Sequence, residues 1–304
     1  MSNKYIGLES IIPSKNIRYD ESMKNHTTMK VGGICECLVI PETLEEILAV
    51  IKYAKENNIK YYVIGNGSNL LVKDEGISYL IIKITSSFSN VEINGNTIKA
   101  ESGCSIPKLS LIAKNNSLSG LEFACGIPGT LGGAVRMNAG AYGSEMVDVI
   151  EEVGYLDENG DLKIAKNEEL EFSYRSSMFV SHKEYIIIYA ILKLKEGNVE
   201  EISKIMETNM TSRKEKQPIE FPNFGSVFKR PEGHFVGKLI DDCGLKGYTI
   251  GGAQISTKHS GFMINTGSAT CEDVLNLIKY IKEEVYKKFE VKLHEEVEIL
   301  GGEK

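Results

Sequence analysis

Between Gly120 and Gly143 the chain places glycine at 126, 129, 132, 133, 140 and 143, and this run limits the possible folds more than any other stretch. Each glycine loses backbone entropy on ordering and offers no side chain to a core. The run is therefore expected to be neither a stable helix nor an ordinary strand. Bare backbone has one use of its own: a ligand can approach closely and meet N–H groups. A shorter stretch, Val63-Ile64-Gly65-Asn66-Gly67-Ser68-Asn69-Leu70-Leu71, repeats the pattern after a strand-like lead from Tyr61 to Ile64. One such loop is readily a plain strand-to-helix turn. Two on one chain point to a large, charged, extended cofactor.

With 304 residues, 42% of them hydrophobic, the chain can bury a real core and form two or three domains. Its net charge of -7 argues against a nucleic-acid partner or an acidic membrane surface. No apolar run reaches spanning length, and Met1-Ser2-Asn3-Lys4 has no signal-peptide core, so a cytoplasmic protein without membrane insertion is expected. The six cysteines (35, 37, 104, 125, 243, 271) contain no C-x-x-C pair and read as free, buried thiols rather than a zinc site. His26, His182, His234, His259 and His294 show no metal-ligand spacing, so no metal is expected. Nothing in the pattern sets the oligomeric state, and a monomer is compatible with it.

Thr43 to Asn57 reads as a helix, with Thr43 and Glu46 as a capping box and Leu44, Ile47, Leu48, Ile51 and Ala54 on one face. Tyr79–Ile84 is a buried strand. Asn94-Gly95 and Asn159-Gly160 mark hairpins between 91–93 and 97–100 and between 149–156 and 162–164. Ser105–Asn116 is a helix with Pro107 in its first turn, and Ile186–Leu194 a strongly apolar strand. A charged helix follows over 200–214, then a boundary near Gln217-Pro218 and Phe221-Pro222. Beyond it come a short helix at 236–243, strands near 248–255 and 261–264, and a long helix over 270–289. That helix is capped by Thr270 and Asp273, with Val274, Leu277, Ile278 and Ile281 as its stripe; a closing strand spans 291–300. Hairpins interrupt the alternation of helix and strand, so the fold class is α+β rather than one doubly wound sheet.

Two common nucleotide frameworks are absent. A dinucleotide fingerprint beginning at Gly65-x-Gly67 needs glycine at 70, where leucine stands, and no Gly-Lys-Ser/Thr loop occurs. Six stretches instead resemble, in order, the UDP-N-acetylenolpyruvoylglucosamine reductase family, flavoenzymes of bacterial peptidoglycan precursor synthesis. They are Asn25-His26-Thr27-Thr28-Met29-Lys30-Val31-Gly32-Gly33, residues 63–71, residues 120–143, Tyr174-Arg175-Ser176-Ser177, Gly225-Ser226-Val227-Phe228-Lys229 and Glu295-Glu296-Val297. The resemblance covers nearly the whole chain and is closest to a shorter subclass without a tyrosine-bearing lid insertion.

The resemblance implies a two-subdomain FAD-binding fold of the vanillyl-alcohol-oxidase (PCMH) type plus a C-terminal α+β substrate-binding domain. The corresponding spans are residues 1–85, 86–205 and 206–304. FAD carries a pyrophosphate, which calls for backbone N–H groups and small hydroxyls. The residues expected at the cofactor are Thr28, Gly65, Asn66, Gly67, Ser68, Asn69, Gly126, Gly129, Thr130, Gly132, Gly133, Asn138, Ala139 and Gly140. NADPH is the implied reductant and a UDP-sugar the substrate. Tyr174, Lys216 and Lys229 are expected at that substrate; at 230 the family commonly has asparagine where this chain has Arg230.

The family reaction moves hydride from reduced flavin N5 to the vinyl CH2 of an enolpyruvyl ether, after which the neighbouring carbon takes a proton. The protein must supply positioning, charge stabilisation and that proton. Arg175 suits the substrate carboxylate because a guanidinium can pair with it through two parallel N–H bonds. An ion pair with the acidic stretch 168–171 is its structural alternative. Ser226 matches the family's proton donor, with Lys229 as a positive neighbour; a turn serine is the alternative. Glu296 matches a catalytic glutamate whose carboxyl would meet the substrate carboxylate as charge builds. Glu295 is adjacent, and a shift of one residue exchanges the two. Strand alternation puts Glu296 with Lys292, His294 and Glu298 on a polar face. An FAD-dependent oxidase or dehydrogenase of a hydroxy acid or sugar on the same scaffold, and a silent flavin- or UDP-sugar-binding module, are the competing functions. Neither needs Arg175, Ser226 and Glu296 together.

Overall fold

Thr270 ends an extended segment and starts the longest helix, α7 (Cys271–Phe289). Its hydroxyl accepts the Asp273 N–H at 3.0 Å and the Asp273 carboxylate accepts the Thr270 N–H at 3.0 Å, a complete capping box. Asp74, 197 residues before Cys271, accepts the next two N–H groups, of Cys271 and Glu272, both at 2.9 Å. These charge-assisted bonds sit at the positive end of the helix dipole. Asp74→Ala is expected to lower unfolding stability by about 1–2 kcal/mol in urea titrations, and Asp74→Asn by less.

The computed structural model describes residues 3–302, which form two compact units. The first holds the chain through Tyr19, Cys37–Asn66 and Tyr79–Ser212; the second holds Asp20–Glu36, Gly67–Ser78 and the chain from Arg213. Strands β1 (Ile17–Ser22), β2 (Ile34–Val39) and β5 (Ile77–Lys83), together with β3 (Tyr61–Ile64), make a sheet in the order β1-β2-β5-β3. Helix α1 (Leu44–Glu56) buries Ile47, Val50, Ile51 and Ala54 in a cluster with Cys37, Val39, Leu80 and Ile82. Only half of its expected capping box forms. Thr43 Oγ1 accepts the Glu46 N–H at 3.2 Å, but the Glu46 carboxylate takes the Glu42 N–H at 2.7 Å instead of that of Thr43.

A second core in the same unit lies on a five-stranded antiparallel sheet, β12 (Leu162–Lys166), β11 (Ile150–Leu156), β13 (Ile186–Lys193), β7 (Thr97–Glu101) and β6 (Val91–Asn94) in that order. Both expected hairpins are present, closed by the pairs Asn94↔Thr97 and Leu156↔Leu162. Helices α2 (Ile106–Asn115), α3 (Leu131–Arg136) and α4 (Met178–Ser181) supply Ile106, Leu109, Leu131, Val135 and Phe179 to this core. Strand β8 (Leu118–Ser119) pairs with β14 (Lys195–Glu196), and β9 (Gly140–Ala141) with β10 (Ser144–Glu145). Helix α3 corrects the expectation that the glycine run holds no helix. Thr130 caps it, and Leu131, Ala134 and Val135 are buried, so packing outweighs two glycines.

The second unit packs α6 (Val236–Asp242) and α7 with the sheet β15 (Thr249–Ile250), β16 (Ala253–Ile255) and β17 (Met263–Asn265), joined by Met29, Val31 and Leu71. Two expected strands are broken. Residues 248–255 form the hairpin β15–β16, and 291–300 contribute only β18 (Glu298–Leu300), parallel to β4 (Leu70–Val72). The closing segment changes partner: the Glu296 N–H bonds Val227 at 2.8 Å, whereas the Glu298 N–H bonds Asn69 at 3.0 Å. Leu293 and Val297 are buried while Lys292 and His294 are exposed and Glu296 and Glu298 half-buried, so the expected alternation holds up to 298 and breaks at buried Leu300. Helix α5 (Val199–Lys216) starts one residue earlier and ends two later than expected.

All six cysteines are free, and burial, with Asp74 and Glu75 adding to it, pushes the Cys271 thiol up to about 12. Among the described residues no helix is long and apolar enough to cross a membrane, and no group of three His, Cys, Asp or Glu side chains could hold a metal.

Candidate active site

In the first unit, Gly65 of the shorter loop lies against Thr130 of the longer one. A Cβ on Gly65 would collide with the Thr130 side chain, so bare backbone at 65 lets the loops pack. Their donors differ sharply. In 126–133, the N–H groups of Ile127, Gly129, Leu131 and Gly132 already bond the carbonyls of Ala124, Ile127, Cys104 and Ser102, and that of Gly133 reaches Thr130 Oγ1 at 3.4 Å. In 65–69, no acceptor among the described residues takes the N–H of Gly65, Asn66 or Ser68. Unused N–H groups are therefore a property of the shorter loop, and the longer run offers fewer than its glycine content implied.

Gly132 and Gly133 are bare for different reasons. A Cβ on Gly132 would lie 3.0 Å from the Ser102 side chain, a tight protein contact. One on Gly133 would meet only Thr130 Oγ1, at 3.6 Å. Nothing in the protein forbids alanine there, and a helix prefers it by about 1 kcal/mol. An open cradle for a ligand accounts for the glycine, and FAD fits that requirement. Gly133→Ala is expected to raise the unfolding stability of the FAD-free protein by up to about 1 kcal/mol while weakening FAD binding, measured by flavin fluorescence titration.

Asn138 closes the run. Its amide nitrogen donates to Glu145 Oε2 at 2.8 Å and to the Ser173 carbonyl at 3.1 Å, and its Oδ1 accepts the Val147 N–H at 3.0 Å. Both amide hydrogens are thus engaged, and the residue is 1% exposed, so its side chain builds the site rather than facing a ligand. Ser173 and Ser176 exchange two N–H···O bonds of 3.1 Å, which places Tyr174 and Arg175 at the tip of a two-residue turn. Arg175 there has φ 54°, a conformation that favours glycine. Its guanidinium lies 3.9 Å from Glu145, donates to the Gly140 carbonyl at 3.2 Å and sits 5.1 Å from the centre of the Tyr174 ring. Glu145 is thus one carboxylate that faces Arg175. Glu145 was not foreseen, because an isolated glutamate in a loop carries no periodic signal.

In the second unit, Asn223 Oδ1 accepts the Gly225 N–H at 3.0 Å and its amide donates to Phe221 and Pro218 carbonyls at 2.8 and 3.2 Å. Gly225 follows at φ 83° and delivers Ser226, exposed and without a hydrogen bond from its hydroxyl among the described residues. Thr28 Oγ1 donates to the Asn223 carbonyl at 2.6 Å, so Thr28 supports this turn, and its N–H bonds Gly67 at 3.2 Å. Residues 227–229 pair with 294–296, which sets Glu296 across from Val227, beside Ser226. Asn69 Nδ2 donates to the Glu296 carbonyl at 3.0 Å, fixing the backbone at that point. Ser226, Glu296, Thr28, Gly67 and Asn69 thus belong to one hydrogen-bonded neighbourhood.

Glu295 and Glu296 are separated by their surroundings. Lys282 on α7 holds Glu295 at 2.7 Å. Burial would raise the Glu295 carboxyl, but the hydrogen bond and charge of Lys282 outweigh it and keep it below its ordinary value. Lys229 is half-buried and its N–H bonds the His294 carbonyl at 2.8 Å, while Lys216 is exposed at the end of α5. Arg230 lies 4.0 Å from the Phe235 ring centre and its Nε donates to the His234 carbonyl at 3.2 Å, so it staples the 230–235 loop.

Comparison with known proteins matches two family profiles: an FAD binding domain over residues 35–166 and the C-terminal domain of UDP-N-acetylenolpyruvoylglucosamine reductase over residues 217–300. The UDP-N-acetylenolpyruvoylglucosamine reductase of Alkaliphilus oremlandii is 50% identical over 299 residues, covering 98% of each chain. That of Clostridioides difficile is 48% identical over 297 residues, covering 98% of this chain and 97% of its own. The crystal structure of the Thermus caldophilus reductase superposes with a TM-score of 0.81 at 37% identity, over 94% of this chain and all of that one. The fold is α+β, an FAD-binding part of the vanillyl-alcohol-oxidase type followed by the reductase C-terminal domain. With half its residues identical to a reductase of the same length, this chain belongs to the UDP-N-acetylenolpyruvoylglucosamine reductase family.

Proposed function

We propose that this chain is an FAD-containing, NADPH-dependent oxidoreductase that reduces the enolpyruvyl group of UDP-N-acetyl-3-O-(1-carboxyvinyl)-glucosamine to give UDP-N-acetylmuramate for peptidoglycan. The observation that carries it is full-length identity to reductases of this name, 50% over 98% of both chains. When bound, FAD would supply the hydride chemistry that links NADPH to the substrate's vinyl carbon. The 65–69 loop, with its unused N–H groups, is assigned the pyrophosphate, with Thr28, Gly126, Gly129, Thr130, Gly132, Gly133 and Asn138–Gly140 shaping the remaining surface.

Arg175 is assigned the substrate carboxylate. A guanidinium meets a carboxylate through two parallel N–H bonds, which suits that role. Ser226 donates the proton, supported by a hydroxyl that makes no hydrogen bond among the described residues. Glu296 meets the growing charge, an assignment supported by its place across from Val227, beside Ser226. Tyr174, Lys216 and Lys229 are assigned to the UDP-sugar. Residues 1–85 and 86–205 are read as the two FAD subdomains and 206–304 as the substrate domain. Dependence on soluble NADPH and a UDP-sugar fits a cytoplasmic enzyme.

The test is product analysis. Incubation with NADPH and the enolpyruvyl sugar should yield a product heavier by two hydrogens, with one NADPH consumed per product. NADPH consumption without that product, or flavin reduction by an alcohol or hydroxy acid instead, would replace the reductase with an oxidase or dehydrogenase.

A further inference from the structure

Asn209 occupies the middle of α5, whose only other buried side chain among its described residues is Ile202. Asparagine is a poor helix former, and at 9% exposure its amide requires partners. The Asn209 amide finds its partner at the start of the glycine run: Nδ2 donates to the Glu122 carbonyl at 3.1 Å. At the other end of the run, the Tyr142 hydroxyl donates to the backbone carbonyl of residue 209 at 2.7 Å. One turn earlier, the Met206 carbonyl takes the Cys125 thiol at 3.7 Å. Glu122 is itself 9% exposed and binds the Gly120 N–H at 2.8 Å, so the start of the run is tied twice. Tyr142, at φ 54°, holds a conformation that few non-glycine residues adopt without outside support. A run with so few side chains has little means of fixing its own path.

We propose that Asn209 and Tyr142 are positioning residues for FAD: the Asn209 amide anchors the start of the 122–142 segment to α5 and the Tyr142 hydroxyl anchors its end, and together they set the backbone surface that receives the cofactor. The proposal rests on the FAD-dependent function above and extends it to a helix outside the cofactor loops. Loss of one buried hydrogen bond is worth about a tenfold change in binding.

The experiment compares the parent holoenzyme with Asn209→Ala, Tyr142→Phe and, as a packing control on the same helix, Ile202→Ala. FAD dissociation constants and the visible flavin spectrum are recorded well below each unfolding midpoint. Asn209→Ala and Tyr142→Phe should each weaken FAD about tenfold and alter the fine structure of the visible band, while Ile202→Ala changes neither. Parental affinity and spectrum in Asn209→Ala overturn the proposal, as does an equal loss in Ile202→Ala. A parent protein that takes up no FAD overturns the functional reading itself, and so the two failures are told apart.

Discussion

Ser226→Ala is expected to leave reduction of the flavin by NADPH nearly unchanged while slowing transfer to the enolpyruvyl sugar by about 10²–10⁴-fold, the usual contribution of a positioned general acid. The separation follows from structure. The turn that presents residue 226 is made by the Asn223 side chain and by Gly225 at φ 83°, neither of which uses the serine hydroxyl. Alanine therefore fits the same backbone, and the Val227 N–H still bonds the Gly261 carbonyl at 3.1 Å. Only the proton is lost. Stopped-flow measurement of each half-reaction checks this; equal slowing of both would return Ser226 to the role of a turn residue.

Arg175 gives a second large effect, and one that moves stability and activity in different directions. A non-glycine residue in the left-handed region costs about 1–2 kcal/mol, and Arg175 holds φ 54° at the tip of the Ser173–Ser176 turn. Arg175→Gly is thus expected to be no less stable than the parent in thermal unfolding. Its second half-reaction should fall by about 10²–10³-fold, as for loss of a charge-stabilising donor. Arg175→Lys should fall nearly as far, because a point charge cannot make the two parallel bonds of a guanidinium. Near-normal turnover in the lysine variant, or a clear loss of stability in the glycine variant, would make Arg175 a structural partner of Glu145.

Local chemistry was legible in the sequence, and long-range pairing was not. Thr43 and Thr270 cap the helices they were expected to cap, and β3 occupies Tyr61–Ile64 as read from its apolar run. The hairpins around 95 and 160 followed from their turn residues. The closing segment could not be read as two short pairings, because its switch from 227–229 to β4 depends on residues more than sixty positions away. Nor does any local pattern tell that 20–36 and 67–78 join the C-terminal unit. In the candidate site, glycine count signalled two ligand loops but not which has free N–H groups. That depended on Ser102 and Cys104, whose carbonyls occupy the donors of α3. Likewise no local pattern told that the Asn138 amide ties Glu145 to the Arg175 turn.

Spectroscopy under anaerobic conditions tests the central claim most directly. The purified protein should show the absorption of oxidised flavin, lose it on addition of one equivalent of NADPH, and regain it only when the enolpyruvyl UDP-sugar is supplied. A protein without flavin absorption, or a reduced flavin that the enolpyruvyl sugar fails to reoxidise, would contradict the account.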